Sequence, residues 1–108
     1  MRIVLFLVIL SINFSSFAKE SLNIAVASNF YGPIKLIQKQ FERQNKVNLI
    51  IIKGSTAQLY TQIINRAPVD IFLSADQITP KKINRSLVVQ NSQFTYAKGK
   101  LVLWTSLI

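Results

Sequence analysis

An α/β fold built on a parallel sheet is predicted for this chain, and three observations carry the prediction. Apolar runs at Leu22 to Ala27, Val47 to Ile52 and Val69 to Ser74 are short, continuous and rich in β-branched residues, as strands buried on both faces require. Between and after them lie stretches with helical periodicity, so the order is βαβαβα, which in one sheet implies right-handed crossovers and parallel strands. The first two runs also end in small hydroxyl or amide residues, at Ala25-Val26-Ala27-Ser28-Asn29-Phe30 and Lys53-Gly54-Ser55-Thr56-Ala57-Gln58. In open α/β sheets, ligands bind outside the carboxyl ends of the strands, and both junctions belong to that edge.

Met1 to Ala18 read as a secretory signal. Arg2 is the basic start, Ile3 to Leu10 the apolar stretch and Ser16-Phe17-Ala18 a small-x-small cleavage site, so the mature chain is expected to begin at Lys19. The apolar stretch is short for a membrane span and is interrupted by Ser11 and Asn13. Leu22 to Ala27 is the first strand. Gly32-Pro33 suits a helix start with Pro33 in the first position, and Ile34, Ile37 and Phe41 form its apolar stripe up to about Asn45. Lys35, Lys39, Glu42 and Arg43 are assigned to the solvated face. Val47 to Ile52 is the second strand, followed by a turn at Gly54, where a missing Cβ permits a tight bend. A second helix is predicted from Thr56 to Arg66, with Leu59, Ile63 and possible support from Tyr60 inside, and Ala67-Pro68 ends it. Val69 to Ser74 is the third strand. A third helix is predicted to start with Thr79 as cap and Pro80 in the first turn, running to about Ser86. Leu87 to Val89 reads as a short extended piece, and Phe94 to Thr105 as one or two strands bent at Gly99.

The residues after Ala18 are enough for one small domain. With Arg2 removed, 12 basic and 4 acidic side chains remain, a net charge of +8 that favours anionic partners. Nucleic acid is not the expected partner, because the aromatics do not alternate with basic residues as a stacking platform would and the chain carries an export signal. There is no Cys, hence no disulfide, no thiol nucleophile and no lipid-modified Cys, and an exported product is expected to be soluble, with a Gram-negative periplasm as the best fit.

Absence of His and Cys excludes a Ser-His or Cys-His nucleophile and most transition-metal sites. The acids are Glu20, Glu42, Asp70 and Asp76; the last two lie at opposite ends of one predicted strand, about 20 Å apart, too far for a catalytic pair. The chain is therefore predicted not to be an enzyme. The two junctions suit a different task. Free N–H groups of a helix's first turn, the helix macrodipole and short Ser, Thr or Asn side chains can hold an anion without a charged side chain. Taken singly, Ser28 and Thr56 could be mere helix caps, and Asp76 a local turn or cap. Two such ends in consecutive βα units would lie side by side, and that pairing points to an oxyanion. Tyr60, Tyr96 and Trp104 read at least as readily as packing residues.

These residues also carry a resemblance. Ala25-Val26-Ala27-Ser28-Asn29-Phe30 followed by Pro33, then Gly54-Ser55-Thr56 with Gln58-Leu59-Tyr60-Thr61-Gln62-Ile63, then Ala67-Pro68-Val69-Asp70-Ile71-Phe72-Leu73-Ser74-Ala75-Asp76, and Phe94 to Trp104, together resemble the periplasmic molybdate-binding proteins of ABC transporters. The resemblance implies a periplasmic-binding-protein-like lobe, residues 19–108, with a parallel, mixed-edge sheet flanked by helices and the second lobe missing. It implies molybdate or tungstate as ligand, no cofactor and no metal bound directly by side chains, a membrane permease as partner, and a monomer. The family's first-lobe ligands carry over to Ser28 and Asn29 in the first loop and to Ser55 and Thr56 in the second. Its remaining ligand groups, including a tyrosine, have no counterpart in this sequence. Three positions depart from the family pattern: Ala57, Arg66 and Ser86 stand where Gly is common. The apolar run Leu101-Val102-Leu103-Trp104 close to Ile108 reads as an interior strand, so a truncated product with weak or no binding is expected. The competing readings are a remnant or interaction fragment that closes on no ligand, and a binding protein for another tetrahedral oxyanion such as sulfate.

Overall fold

The computed structural model describes residues 19–106; the signal read in Met1 to Ala18 lies outside the described residues. Three parallel strands form one sheet in the order β2-β1-β3: β1 Ser21–Ala27, β2 Asn48–Gly54 and β3 Ile71–Leu73. A 3₁₀ turn, Ser28–Phe30, leads from β1 into helix α1, Tyr31–Asn45; α2 is Thr56–Ile64, α3 the single turn Ile78–Lys81, and a second 3₁₀ turn spans Arg85–Leu87. The α/β class and the parallel order follow the sequence prediction.

Burial explains the central position of β1. Ile24, Ala25, Val26 and Ala27 are all buried, covered by α2 through the fully buried Leu59. Gly54 fits beneath that side chain: a Cβ there would lie 3.2 Å from Leu59 Cγ and Cδ2. The glycine therefore serves close approach to Leu59, and the tight bend expected there from the sequence is made without a positive φ. Gly99, where an unusual backbone angle was expected, has no positive φ either, and a Cβ there would meet nothing within 4 Å.

Helix α1 departs from its predicted stripe. Ile34 is buried, but Ile37 and Phe41 are 49% and 36% exposed. Gln38 and Glu42 turn toward the sheet instead. Gln38 Nε2 donates to the Leu49 carbonyl at 2.9 Å, and the Glu42 carboxylate accepts from the Leu49 N–H at 2.8 Å. Because β2 is an edge strand, its outward backbone groups need partners, and these two side chains supply them. Glu42 is accordingly half-buried and structural, not on a solvated face.

The predicted third strand is shortened at its start. The Asp70 N–H donates to the Asn23 carbonyl at 2.9 Å, and the Asp70 carboxylate accepts from the Asn23 N–H at 2.8 Å, so a side chain replaces one ladder partner before β3 begins. The predicted long third helix is also reduced. Thr79 is not its cap but its second residue: the Asp76 carboxylate accepts from Thr79 N at 2.6 Å and from Thr79 Oγ1 at 2.9 Å. The helix ends before Asn84, whose side chain accepts from Ser86 N and starts the second 3₁₀ turn in place of the extended piece expected at Leu87. The strands predicted between Phe94 and Thr105 do not form: residues 92–106 contain no helix or strand, and Leu101, Val102, Leu103 and Trp104 are exposed. A strand needs a ladder partner. None lies alongside this segment among the described residues, so no mixed edge is added to the sheet.

Candidate functional site

Parallel register brings the two opening junctions together. Ala27 is paired with Gly54 and Val26 with Leu73, so all three strands end at one edge. Ser28 follows the end of β1, Ser55 and Thr56 follow the end of β2, and Ser74-Ala75 follows the end of β3. The juxtaposition expected from the sequence for Ser28, Asn29, Ser55 and Thr56 is present in the fold.

Each hydroxyl is held differently. Ser28 Oγ donates to the Gly54 carbonyl at 3.1 Å, which ties the first junction to the second and occupies the hydroxyl proton. Ser55 is the N-cap of α2: its Oγ accepts from Gln58 N at 3.2 Å while Gln58 Oε1 accepts from Ser55 N at 3.1 Å, a capping box. Thr56, which the sequence left open as a cap, is instead the first helical residue, and its Oγ1 accepts from Ala75 N at 3.1 Å. An oxygen that accepts from an N–H keeps its own proton for another acceptor. Ser55 and Thr56 are thus preset as donors, whereas Ser28 must first release Gly54.

The backbone adds to this set. The 3₁₀ turn at Ser28–Phe30 has no side-chain cap, so its first N–H groups are left for solvent or a ligand. In α2 the capping box engages Ser55 N and Gln58 N, leaving Thr56 and Ala57 in the uncommitted part of the first turn. Ala57, one of the departures from the family pattern, is an ordinary helix residue and costs the loop nothing in backbone angle. Ser28, Asn29 and Ser55 are exposed and Thr56 is half-buried.

Charge is kept off the junction itself. No acidic residue occurs between Leu22 and Asn29 or between Asn48 and Asn65. The Lys53 ammonium lies 4.9 Å from the centroid of the Tyr31 ring, a cation–π contact at the base of α1. Asp76 is the nearest acid past β3, and its bonds from Thr79 hold its carboxyl below the usual carboxylate range. It serves as the local cap foreseen as one alternative. Among the described residues no group of three His, Cys, Asp or Glu is arranged to hold a metal ion.

One side chain at this edge reads from the sequence as packing at least as readily as a ligand contact. Tyr96 stacks edge-on against Phe30, ring centroids 5.0 Å apart and planes at 69°, and its hydroxyl donates to the Ser74 carbonyl at 2.8 Å. Burial pushes the pKa of that hydroxyl upward. Beside it, Gln77 Nε2 donates to Thr95 Oγ1 at 3.2 Å and Gln93 Nε2 to the Gln77 carbonyl at 3.0 Å. The signal available in the sequence was an aromatic at the start of an apolar run, which does not distinguish a strand interior from a tether.

Comparison with known proteins gives a consistent picture. The family model described as "Bacterial extracellular solute-binding protein" matches residues 22–107. The molybdate-binding protein ModA of Azotobacter vinelandii is 46% identical over 84 residues, covering 77% of this chain and 33% of that protein. Its namesake from Rhodobacter capsulatus is 45% identical over 83 residues, covering 76% and 33%. Among solved structures, the periplasmic molybdate-binding protein of Azotobacter vinelandii superposes with a TM-score of 0.65 at 36% identity, over 69% of this chain and 33% of that one. The chain thus spans about a third of the length of the curated relatives it matches.

Proposed function

Because the chain belongs to the bacterial extracellular solute-binding protein family, we propose that residues 19–108 form first-lobe structure of a molybdate- and tungstate-binding protein that serves a membrane permease from the periplasm. The single observation that carries this reading is the pairing of Ala27 with Gly54, which sets two uncharged, hydroxyl-bearing helix starts side by side. The names of the curated relatives support the choice of oxyanion. In this reading Ser28, Asn29, Ser55 and Thr56 bind the dianion through hydroxyl, amide and backbone N–H donors, with no cofactor and no reaction.

The donor set also explains selectivity. Hydrogen phosphate brings a proton that needs an acceptor, and the two junctions carry no carboxylate to receive it. Sulfate has the same charge as molybdate and is discriminated by size. Residues 19–108 offer donors from one side of the anion only. Their binding as an isolated chain is therefore weak, in the millimolar range, equivalent to about 4 kcal/mol.

Titration of the ¹⁵N-labelled chain with sodium molybdate, followed by amide chemical shifts, tests the proposal. Saturable shifts at Ser28, Asn29, Ser55 and Thr56 are expected with molybdate and tungstate, and none with phosphate. Shifts that are absent, or that sodium chloride reproduces at equal ionic strength, would overturn it. A spectrum lacking dispersion would favour the remnant reading instead.

A further inference from the structure

We infer that Tyr96 is a positioning residue for the first junction, fixing Ser28 and Asn29 by clasping Phe30 against the end of β3; this role rests on the functional reading above.

The first junction needs such a device. Ser28–Phe30 is one 3₁₀ turn leading into α1 with no side-chain cap, Ser28 and Asn29 are exposed, and a 3₁₀ turn has poorer hydrogen-bond geometry than an α-helix. The second junction is already rigid, with a capping box and the bond from Ala75 N to Thr56. At the first junction the turn has its own Tyr31 N–H bond to the Ser28 carbonyl, with Tyr31 under the Lys53 ammonium. The side-chain restraints on Ser28–Phe30 themselves are the Ser28 hydroxyl bond to Gly54, which anion binding must break, and the contact of Phe30 with Tyr96.

Tyr96 is built for that task at both ends. Its ring meets Phe30, the residue directly after Asn29, and its hydroxyl reaches the carbonyl of Ser74, a buried residue at the end of β3. Between Val88 and Ser106 it is the single residue that is not exposed. The bonds of Gln77 with Thr95 and of Gln93 with Gln77 hold its neighbours against the same edge. An otherwise irregular, exposed segment therefore turns one side chain inward, at the point where the first and third strand ends can be joined. Because burial raises its pKa, the hydroxyl remains a donor throughout the neutral range.

The test compares Tyr96→Phe and Tyr96→Leu with the parent chain in the same sodium molybdate titration. Tyr96→Leu is expected to lose the saturable shifts at Ser28 and Asn29 and to bind about tenfold more weakly, the effect of roughly one well-placed bond to a charged oxygen. Its Ser55 and Thr56 amides should keep their ligand-free positions and still respond to molybdate. Tyr96→Phe keeps the ring against Phe30 and should lose less, which retains a readout if the leucine variant fails to fold. Parent-like binding by both variants would overturn the inference. So would loss of response at all four amides together, because that marks a general structural role. No saturable shift in the parent chain would overturn the functional reading itself, and this role with it.

Discussion

Removing the Thr56 hydroxyl by Thr56→Val should weaken molybdate binding more than removing the Ser28 hydroxyl by Ser28→Ala. The difference comes from the partner each oxygen has before the anion arrives. Thr56 Oγ1 accepts from Ala75 N at 3.1 Å, so its proton is already free to donate. A hydrogen bond to a charged group contributes about 1.5–3 kcal/mol net, so its loss corresponds to roughly a ten- to hundredfold fall in affinity. Ser28 Oγ instead donates to the Gly54 carbonyl at 3.1 Å, and that bond must break before the hydroxyl can serve the anion. Subtracting about 0.5–1.5 kcal/mol for the broken neutral bond leaves a net contribution near 1 kcal/mol, or roughly a fivefold effect.

Amide-shift titration of both variants with sodium molybdate measures the two affinities directly. Valine keeps the β-branched shape of threonine but releases the Ala75 N–H, which at the exposed Ala75 turns to water, and alanine at the exposed Ser28 leaves no buried group unpaired, so neither change should unfold the chain. Ser55→Ala is a poorer probe, since it also removes the capping box of α2. A Ser28→Ala loss equal to or greater than the Thr56→Val loss would refute the reasoning, because it would mean that internal hydrogen bonding does not set which hydroxyl is available.

Two further expectations concern the fold. Arg66 has φ 63° at the end of α2, where Arg66 N donates to the Ile63 carbonyl and Ala67 N to the Gln62 carbonyl, both at 2.9 Å, the bonding of a Schellman cap that favours glycine. Arg66→Gly should relieve about 1–2 kcal/mol of left-handed strain against about 0.4–1 kcal/mol of added unfolded-chain entropy, raising the thermal midpoint by a few degrees in circular dichroism, and an unchanged or lower midpoint would count against it. Glu42 accepts bonds from Leu49 N and Gln38 Nε2, which hold its pKa below the ordinary 4.5. A carboxyl whose folded pKa is depressed contributes stability that is fully present above its unfolded value and is lost as pH falls through the folded one. The thermal midpoint should therefore drop below about pH 4.5, and Glu42→Gln should flatten that drop; identical acid profiles would contradict the assignment.

The parallel core was legible because its signals are local. Continuous apolar runs, helical spacing and hydroxyl residues at the junctions each act within a few positions, and β1, α1, β2 and α2 lie where those signals set them. Misreadings arose where a distant polar side chain supplied a bond that periodicity cannot encode. Gln38 and Glu42 displaced Ile37 and Phe41 from the sheet face because Leu49 on an edge strand needed partners. Asp70 took a ladder place opposite Asn23, 47 residues away. The apolar run Leu101 to Trp104 has strand composition, yet composition cannot supply a neighbouring strand. At the site, the four ligand candidates were visible by type and spacing, but the direction of each hydroxyl bond was not.

That direction is what gives an uncharged site its character. A cation placed between the junctions would attract any dianion and select poorly among them, since a point charge carries little directional demand. Here the one lysine beside the second junction, Lys53, lies over the Tyr31 ring, so its charge adds to the field around the site without entering the donor geometry. The excess of basic over acidic residues across the chain acts in the same long-range way, raising the local concentration of anions of every kind. Selection then falls to donors of fixed direction. Thr56 is aimed by Ala75 and Ser55 by Gln58, while the Ser28 turn, once its hydroxyl releases Gly54, is held by Tyr96 through Phe30. In the proposed reading, attraction and recognition are thus carried by different residues, and a substitution that alters one need not alter the other.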